Sequence, residues 1–141
     1  MKITSRFTVA VHTLLAIHIL GKERKMTSEE IAASVNVNPV VIRRTLQSLK
    51  AARLVSVRAG SGAVLTKAPA EISLYDVYSA MDCVEGENLF HFHDHPNPAC
   101  PVGRRIHALL DGHLVRAQRA MEDELRGVSL ADLAERYETI D

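Results

Sequence analysis

Two helix-start signals that lie close together constrain the fold of this chain more than any other feature. In the first, the pattern is that of a capping box, in which the Thr27 hydroxyl and the Glu30 carboxylate satisfy each other's backbone amides. In the second, Asn38 can cap a helix that begins at Pro39, where the missing N–H costs nothing. A short helix, a tight turn and a longer helix are typical of a helix-turn-helix, and the helices are predicted over 28–35 and 39–53.

The second helix of this pair has one apolar face and one basic face. Helical periodicity puts four residues on the side that would face a core, namely Ile42, Thr45, Leu46 and Leu49. The opposite side then holds Val40, Arg43, Arg44 and Gln47. On an isolated helix such a basic face is usually only solvated. Here a capped helix and a hairpin flank it, which favours a recognition helix for DNA.

The hairpin follows directly, with strands predicted over 54–58 and 63–67 around a glycine-containing loop. A hairpin placed after a recognition helix is typical of a wing, which lies along the phosphate backbone. Arg58 and Lys67 are predicted to meet phosphates there, while the glycines of the loop would let the backbone approach closely.

The net charge of zero hides a strong asymmetry between the two halves of the chain. Residues 1–70 contain eleven Lys and Arg against three Asp and Glu, whereas residues 71–141 contain six against fourteen. Such a basic half is the expected footprint of a surface that binds a polyanion such as DNA. Chance clustering on a solvated surface is the alternative interpretation, and the helix-turn-helix pattern weighs against it.

The second half contains one long amphipathic helix that begins at Pro101 and is predicted to run for about seven turns. Its apolar residues recur at steps of three and four, and this stripe is longer than one small domain can cover. The simplest cover is the same helix in a second copy of the chain. The predicted dimer interface therefore consists of Val102, Ile106, Leu109, Leu110, Leu114, Ala117, Met121 and Leu125.

Together these patterns predict a mainly α fold with a small β-hairpin, in which a winged helix-turn-helix precedes a long C-terminal dimerisation helix. The predicted units are the DNA-binding domain over 1–82, a sensor-type loop over 83–100, and the dimerisation helix with a short last helix over 101–141. The longest apolar stretch is too short and too often interrupted to span a bilayer, and no export signal is recognised. A cytoplasmic protein without a membrane partner is expected.

Five segments in order resemble a known family of winged-helix regulators, which includes the iron-sulfur cluster regulator, the nitric-oxide-sensitive repressor and the cysteine-metabolism repressor. The segments are residues 1–6, 37–42, 54–62, 72–82 and 128–133. The resemblance implies a homodimeric repressor whose long helices cross, with each recognition helix and wing placed on one half of a roughly palindromic operator.

Double-stranded DNA and a second copy of the chain are thus the predicted partners. The residues predicted to contact DNA come from the N-terminal segment, the two helix starts, the basic face and the wing. They are Thr4, Ser5, Arg6, Thr27, Asn38, Pro39, Val40, Arg43, Arg44, Gln47, Arg58, Gly60, Ser61, Gly62 and Lys67.

The signal to which the protein responds is left open among redox state, metal and a small molecule. Cluster-binding members of the family have three closely spaced cysteines before the long helix. Here only Cys100 occupies such a position and Cys83 lies well before it, so an iron-sulfur cluster of that type is not expected. A thiol switch using Cys100 and Cys83 is one hypothesis, because a helix N-terminus favours the thiolate. Two small buried side chains are the alternative.

A histidine-rich loop gives a second hypothesis. His91, His93 and His95 alternate, so an extended segment would put them on one side, where they and Cys100 could bind zinc or iron. The alternative is that these side chains only solvate or hydrogen-bond a polar loop.

Two other functions compete with DNA binding. A small thiol enzyme would use Cys100 as nucleophile with His107 or a loop histidine as base, but no oxyanion site or orienting residue accompanies them. A protein-interaction module would use only the helical second half. The sequence therefore favours a non-enzymatic regulator.

Overall fold

The computed structural model describes residues 5–81 and 89–140. In chain order the elements are α1 (Arg6–Leu20), α2 (Ser28–Val35), α3 (Pro39–Ala51), β1 (Val55–Arg58), β2 (Gly62–Leu65), a short 3₁₀ turn (Pro69–Glu71), α4 (Leu74–Ala80), α5 (Pro101–Arg126) and α6 (Leu130–Thr139). The predicted mainly α fold with one β-hairpin is confirmed, and its order of elements is that of a winged helix-turn-helix followed by a long helix.

Both predicted helix starts of the helix-turn-helix are present. The Thr27 hydroxyl accepts a hydrogen bond from the Glu30 N–H at 3.2 Å, and the Asn38 side chain accepts one from the Val40 N–H at 2.9 Å. The predicted capping box at α2 needs a correction, because the Glu30 carboxylate lies 3.7 Å from the Arg24 guanidinium and pairs with it. Thr27 therefore caps α2 by itself.

Positive backbone angles set the ends of these two helices. Asn36, directly after α2, has a φ of 63° and makes the tight turn towards α3. Arg53 has a φ of 62°, which a continuing helix does not allow. For this reason α3 ends at Ala51, two residues before the predicted boundary at residue 53.

The wing is an antiparallel hairpin whose register pairs Val55 with Leu65 and Arg58 with Gly62. The N–H of Ala63 donates a 2.9 Å hydrogen bond to the Met26 carbonyl, so the segment before α2 lies along the outer side of β2. Gly62, predicted to lie in the loop, is the first residue of β2 instead.

One hydrophobic core joins α1, α2, α3, the wing and α4. Its buried residues are Ala10, Leu14, Ala16, Ile17, Met26, Ile31, Ala32, Ile42, Leu46, Leu49, Leu54, Val55, Ala63, Ile72, Val77, Tyr78, Met81 and Leu130. Among the described residues that follow Met81, the C-cap of α4, only Leu130 belongs to this set. The core therefore belongs almost entirely to the winged helix-turn-helix.

The start of α6 is tied to the start of α4. Ser73 and Ser129 each form a complete capping box with the aspartate three residues on, and the two serines face each other in an isolated antiparallel bridge. The Leu74 N–H donates to the Val128 carbonyl at 2.9 Å, and the Leu130 N–H donates to the Ile72 carbonyl at 2.8 Å. These bonds fasten the C-terminal end of the chain to the core.

The long helix α5 differs from the other helices because none of its 26 residues is buried. It contacts the core near its C-terminal end, where Met121 and Leu125 pack on the core and the Arg126 guanidinium lies 3.9 Å from the centre of the Tyr75 ring. Towards its other end, apolar side chains are exposed: Val102 to 65%, Leu109 to 59% and Leu110 to 38%.

None of the helices in the described parts of the chain combines the length and the apolar character that crossing a bilayer requires.

Candidate nucleic-acid interface

Helix α3 divides into a buried and an exposed side. Its buried residues are Ile42, Thr45, Leu46 and Leu49, and the Thr45 hydroxyl is satisfied by the Val41 carbonyl at 2.9 Å. Its exposed residues include Val40, Val41, Arg43, Arg44 and Gln47. Because Asn38 caps the helix and Pro39 is its first residue, this exposed side begins at a well-defined helix N-terminus.

Two exposed valines add an apolar patch to the basic face. Val40 is 43% and Val41 is 39% exposed, although both lie in the first turn of a capped helix next to arginines. Apolar side chains on a recognition helix can contact the methyl group of thymine in the major groove. The exposed side of α3 thus has groups for both polar and apolar contacts with base edges.

One of the arginines already has a partner within the protein. Arg43 Nη2 donates a 3.2 Å hydrogen bond to Glu29 Oε1, which joins the exposed side of α3 to the first turn of α2. The N–H of Glu29 itself and the Arg43 guanidinium hold the pKa of the Glu29 carboxyl below its usual value. Sequence reasoning missed Glu29, since only the packing of α2 on α3 brings together two residues so far apart in the chain.

The tip of the wing presents Arg58, Gly60 and Ser61 to solvent. Gly60 has a φ of 79°, and a β-carbon added there would meet no atom within 4 Å, so its backbone is open to a ligand. Gly62 has a φ of 75°, but it is buried, and an added β-carbon would lie 2.7 Å from the Met26 carbonyl oxygen. Close packing against Met26 therefore explains the glycine at position 62 without the predicted contact with DNA.

A basic groove runs beside the wing. The loop between α1 and α2 and the strand β2 line it, and its charged residues are the four cations Lys22, Arg24, Lys25 and Lys67 and one anion, Glu23. Of these, only Lys67 was predicted as a contact with DNA. The charged run over 22–25 was the sequence signal that could have identified the others. Its place beside the wing was not predictable from that run, because it depends on the hydrogen bond between Ala63 and Met26.

The remaining predicted contacts are placed as follows. Ser5 precedes α1 and its carbonyl accepts a hydrogen bond from the Thr8 hydroxyl at 3.0 Å, and Arg6 is the first residue of that helix. Thr27 is occupied as the cap of α2. Thr4 and Cys83 lie outside the residues that the structure describes.

The described histidines do not have the alignment that the predicted metal site requires. An extended segment would align His91, His93 and His95, but His95 has a φ of 52°, which breaks the alternation. Within residues 5–81 and 89–140, no three His, Cys, Asp or Glu side chains come together in a way that could hold a metal ion. Cys100 is not grouped with the three histidines.

Aromatic contacts fold this loop onto α5 instead. The Phe92 ring stacks on the His107 ring with 4.1 Å between their centres, and the Leu89 N–H donates to Gln118 Oε1 at 2.9 Å. His107, the predicted base of a thiol enzyme, is also 3.3 Å from the Asp111 carboxylate. Its ring is thus held by Phe92 and Asp111 in the described structure.

Cys100 is the residue that precedes α5, and its side chain is partly exposed as a free thiol. The backbone N–H groups of Gly103 and Val102 lower the pKa of this thiol, because they stabilise the thiolate at the helix start.

Comparison with known proteins identifies relatives over nearly the whole chain. The Rrf2 family, described as iron-dependent transcriptional regulators, matches residues 3–136. YwnA of Bacillus subtilis (strain 168), named as an HTH-type transcriptional regulator, is 48% identical over 132 residues, which are 93% of this chain and 96% of that protein.

Solved structures show the same fold. A protein described as DNA-binding is 44% identical, with a TM-score of 0.71 over 92% of this chain and 98% of that chain. CymR, the global cysteine regulator of Bacillus subtilis, is 20% identical with a TM-score of 0.71, over 96% of this chain and 97% of that chain.

Proposed function

The chain belongs to the Rrf2 family of DNA-binding transcriptional regulators and not to an enzyme family, and from this premise we propose that it acts as a homodimeric, sequence-specific repressor in the cytoplasm. The observation that carries the proposal is the exposed side of α3, where two arginines and a glutamine stand on a helix whose other side is fully buried in the core.

In this function α3 enters the major groove. Arg43 and Gln47 are one helical turn apart, and each has the donors or acceptors to bind a base edge through two hydrogen bonds. Val40 and Val41 contact thymine methyl groups beside them. Arg58 and Lys67 bind phosphates, with which they position the protein without reading sequence.

The exposed apolar residues of α5 support the homodimer. Val102, Leu109 and Leu110 lie on one side of the helix and point away from the core of their own chain. Pairing two such helices across a two-fold axis would cover these side chains and present two copies of α3 to the two halves of a palindromic operator.

The family description mentions iron, but the residues present do not fit a family-type iron-sulfur cluster. Such a cluster needs several cysteine thiolates close together, and the whole chain has two cysteines. Cys100 is the one free thiol among the described residues, with no group of three potential ligands around it. A cluster is therefore not part of the proposed response, and the proposed signal is redox chemistry of Cys100 or a small molecule.

The test begins with selection of an operator from random duplexes by the purified protein. Binding of wild type, Arg43→Ala, Gln47→Ala and Arg58→Ala is then measured on operator and scrambled DNA over a salt series. Loss of a base contact should reduce discrimination by about 1–3 kcal/mol, whereas loss of a phosphate contact should weaken binding to both duplexes and lower the salt slope by about one.

Equal losses on both duplexes for Arg43→Ala and Arg58→Ala would assign Arg43 to a phosphate and contradict the proposed reading of bases. Transcription in vitro from a promoter that overlaps the selected operator tests repression, and an increase in transcript would contradict it.

A further inference from the structure

The hydrogen bond between Arg43 and Glu29 is not explained by a contribution to folding stability. The side chains of the two residues are 53% and 67% exposed, and ion pairs this exposed add little to folding stability. Glu29 also puts a negative charge on the side of the molecule that faces DNA in the proposed function. A carboxylate there opposes binding to any stretch of phosphates.

We propose that Glu29 is a positioning residue for DNA specificity: by holding the Arg43 guanidinium at the exposed side of α3, it keeps Arg43 available for a base and away from phosphates. This inference rests on the proposed function of α3 as the recognition helix. It concerns how that helix discriminates among sequences.

The chemistry of the guanidinium permits both contacts at once. Arginine has five N–H donors in a planar fork, and the hydrogen bond from Nη2 to Glu29 uses one of them. Two further N–H groups of the terminal nitrogens can still reach the O6 and N7 atoms of guanine. A free arginine side chain is flexible and would find a phosphate more easily, because phosphates are present at every step of the duplex.

Glu29 also acts against wrong sequences. On scrambled DNA, an Arg43 side chain that is not held would bind a phosphate and so strengthen the incorrect complex. Because Glu29 holds the guanidinium, that contact is weakened, whereas the contact with a base of the operator is kept. Specificity of this kind comes from weakening the incorrect complex.

The experiment compares two substitutions of Glu29 with one of its neighbour. Glu29→Gln removes the charge, and Glu29→Asp keeps the charge but withdraws it from Arg43 by one methylene. Glu30→Gln is the matched control, because Glu30 lies in the same helical turn, is also exposed, and pairs with Arg24 instead of Arg43. Affinities for operator and scrambled DNA are measured over a salt series, and thermal unfolding confirms that each variant folds.

Both Glu29 variants should lose about tenfold in discrimination between operator and scrambled DNA, the size expected when one bidentate base contact is loosened. The salt slope on scrambled DNA should become steeper by about one for Glu29→Gln, since Arg43 then binds a phosphate. Glu30→Gln should keep the wild-type discrimination. In an Arg43→Ala background, Glu29→Gln should change discrimination no more than Glu30→Gln does.

Equal losses of discrimination in Glu29→Gln and Glu30→Gln would overturn the inference, because they would show that Glu29 acts only through its negative charge and not by holding Arg43. Unchanged discrimination in both Glu29 variants would overturn it as well, while the proposed function stands if wild type still prefers the operator. A wild-type protein without any preference would overturn both.

Discussion

The winged helix-turn-helix and the long helix α5 solve the problem of covering apolar surface in opposite ways. The first is self-sufficient: α1, α2, α3, the wing and α4 bury their apolar residues against one another. In contrast, α5 has an equally clear apolar stripe and no buried residue. The same helical periodicity therefore encodes a core in one region and a surface in the other.

The difference shows that an amphipathic pattern specifies which side of a helix is to be buried, but not which element or chain buries it. For α3 it comes from elements within a few dozen residues of the same chain. For α5 the described parts of the chain cover Met121 and Leu125 but leave Val102, Leu109 and Leu110 exposed, so cover for these three is expected from a partner. The following predictions test this contrast, from the largest effect to the smallest.

Leu109→Glu should dissociate the proposed dimer while the winged helix-turn-helix stays folded. Leu109 is exposed in the single chain, so the new charge costs little there, whereas burial in a dimer seam costs several kcal/mol. Light scattering at micromolar concentration measures the effect, and Arg119→Glu, at an exposed position outside the apolar stripe of α5, serves as the control. A dimer that persists in Leu109→Glu, or a wild type that is monomeric, would show that the stripe needs no second copy.

Gly62→Ala should destabilise the self-sufficient region without changing the oligomeric state. A β-carbon at a φ of 75° costs about 1–2 kcal/mol, and contact with the Met26 backbone adds to this cost. Gly60→Ala is the matched variant, because its φ is similar but its surroundings are open. Urea unfolding should show a clearly larger loss for Gly62→Ala, and equal losses would contradict the packing that we describe at Met26.

Asn38→Ala and Ser129→Ala remove equivalent caps from the recognition helix α3 and from α6, the helix that follows α5. Each should reduce the free energy of unfolding by about 1 kcal/mol, since each side chain accepts a hydrogen bond from the first turn of its helix. Only Asn38→Ala should also weaken operator binding, because its cap sets the start of the recognition helix. Titration of operator DNA would contradict this division if the two variants bound alike.

His18 should make the stability of the core region depend weakly on pH. Burial and the nearby charge of Lys22 lower its pKa from the ordinary 6.5, so the unfolded chain binds the proton more readily than the folded one. The stabilisation is thus complete above the ordinary pKa and is lost as the pH falls through the lowered value. Thermal unfolding from about pH 7.5 to about pH 5 should show a shallower decline for His18→Gln, and an unchanged decline would exclude this role.

Local signals in the sequence predicted most of the fold. The caps at Thr27 and Asn38, the proline at the start of α5 and the apolar periodicities each act over a few residues, and these elements formed as expected. Glu30 shows the limit of such signals, because its carboxylate pairs with Arg24 across a loop instead of completing the capping box.

The site was less predictable because its decisive contacts are between elements. The pairing of Glu29 with Arg43 depends on how α2 packs on α3, and the burial of Gly62 depends on the segment at Met26. The arrangement of the histidine loop was hard to predict for a related reason: an alternating pattern gives one face only if the backbone stays extended, and the backbone at His95 is not extended.

The bridge between Ser73 and Ser129 has a mechanical consequence. It joins the start of α6, three residues after the end of α5, to the start of α4, so α5 is a helix about 39 Å long whose C-terminal end is held at this clasp. Tilting such a rod by about 5° at the clasp displaces its far end by roughly 3 Å. In a paired molecule, a slight loosening of two small hydrogen-bonded turns would change the distance between the two recognition helices, and so their register on DNA.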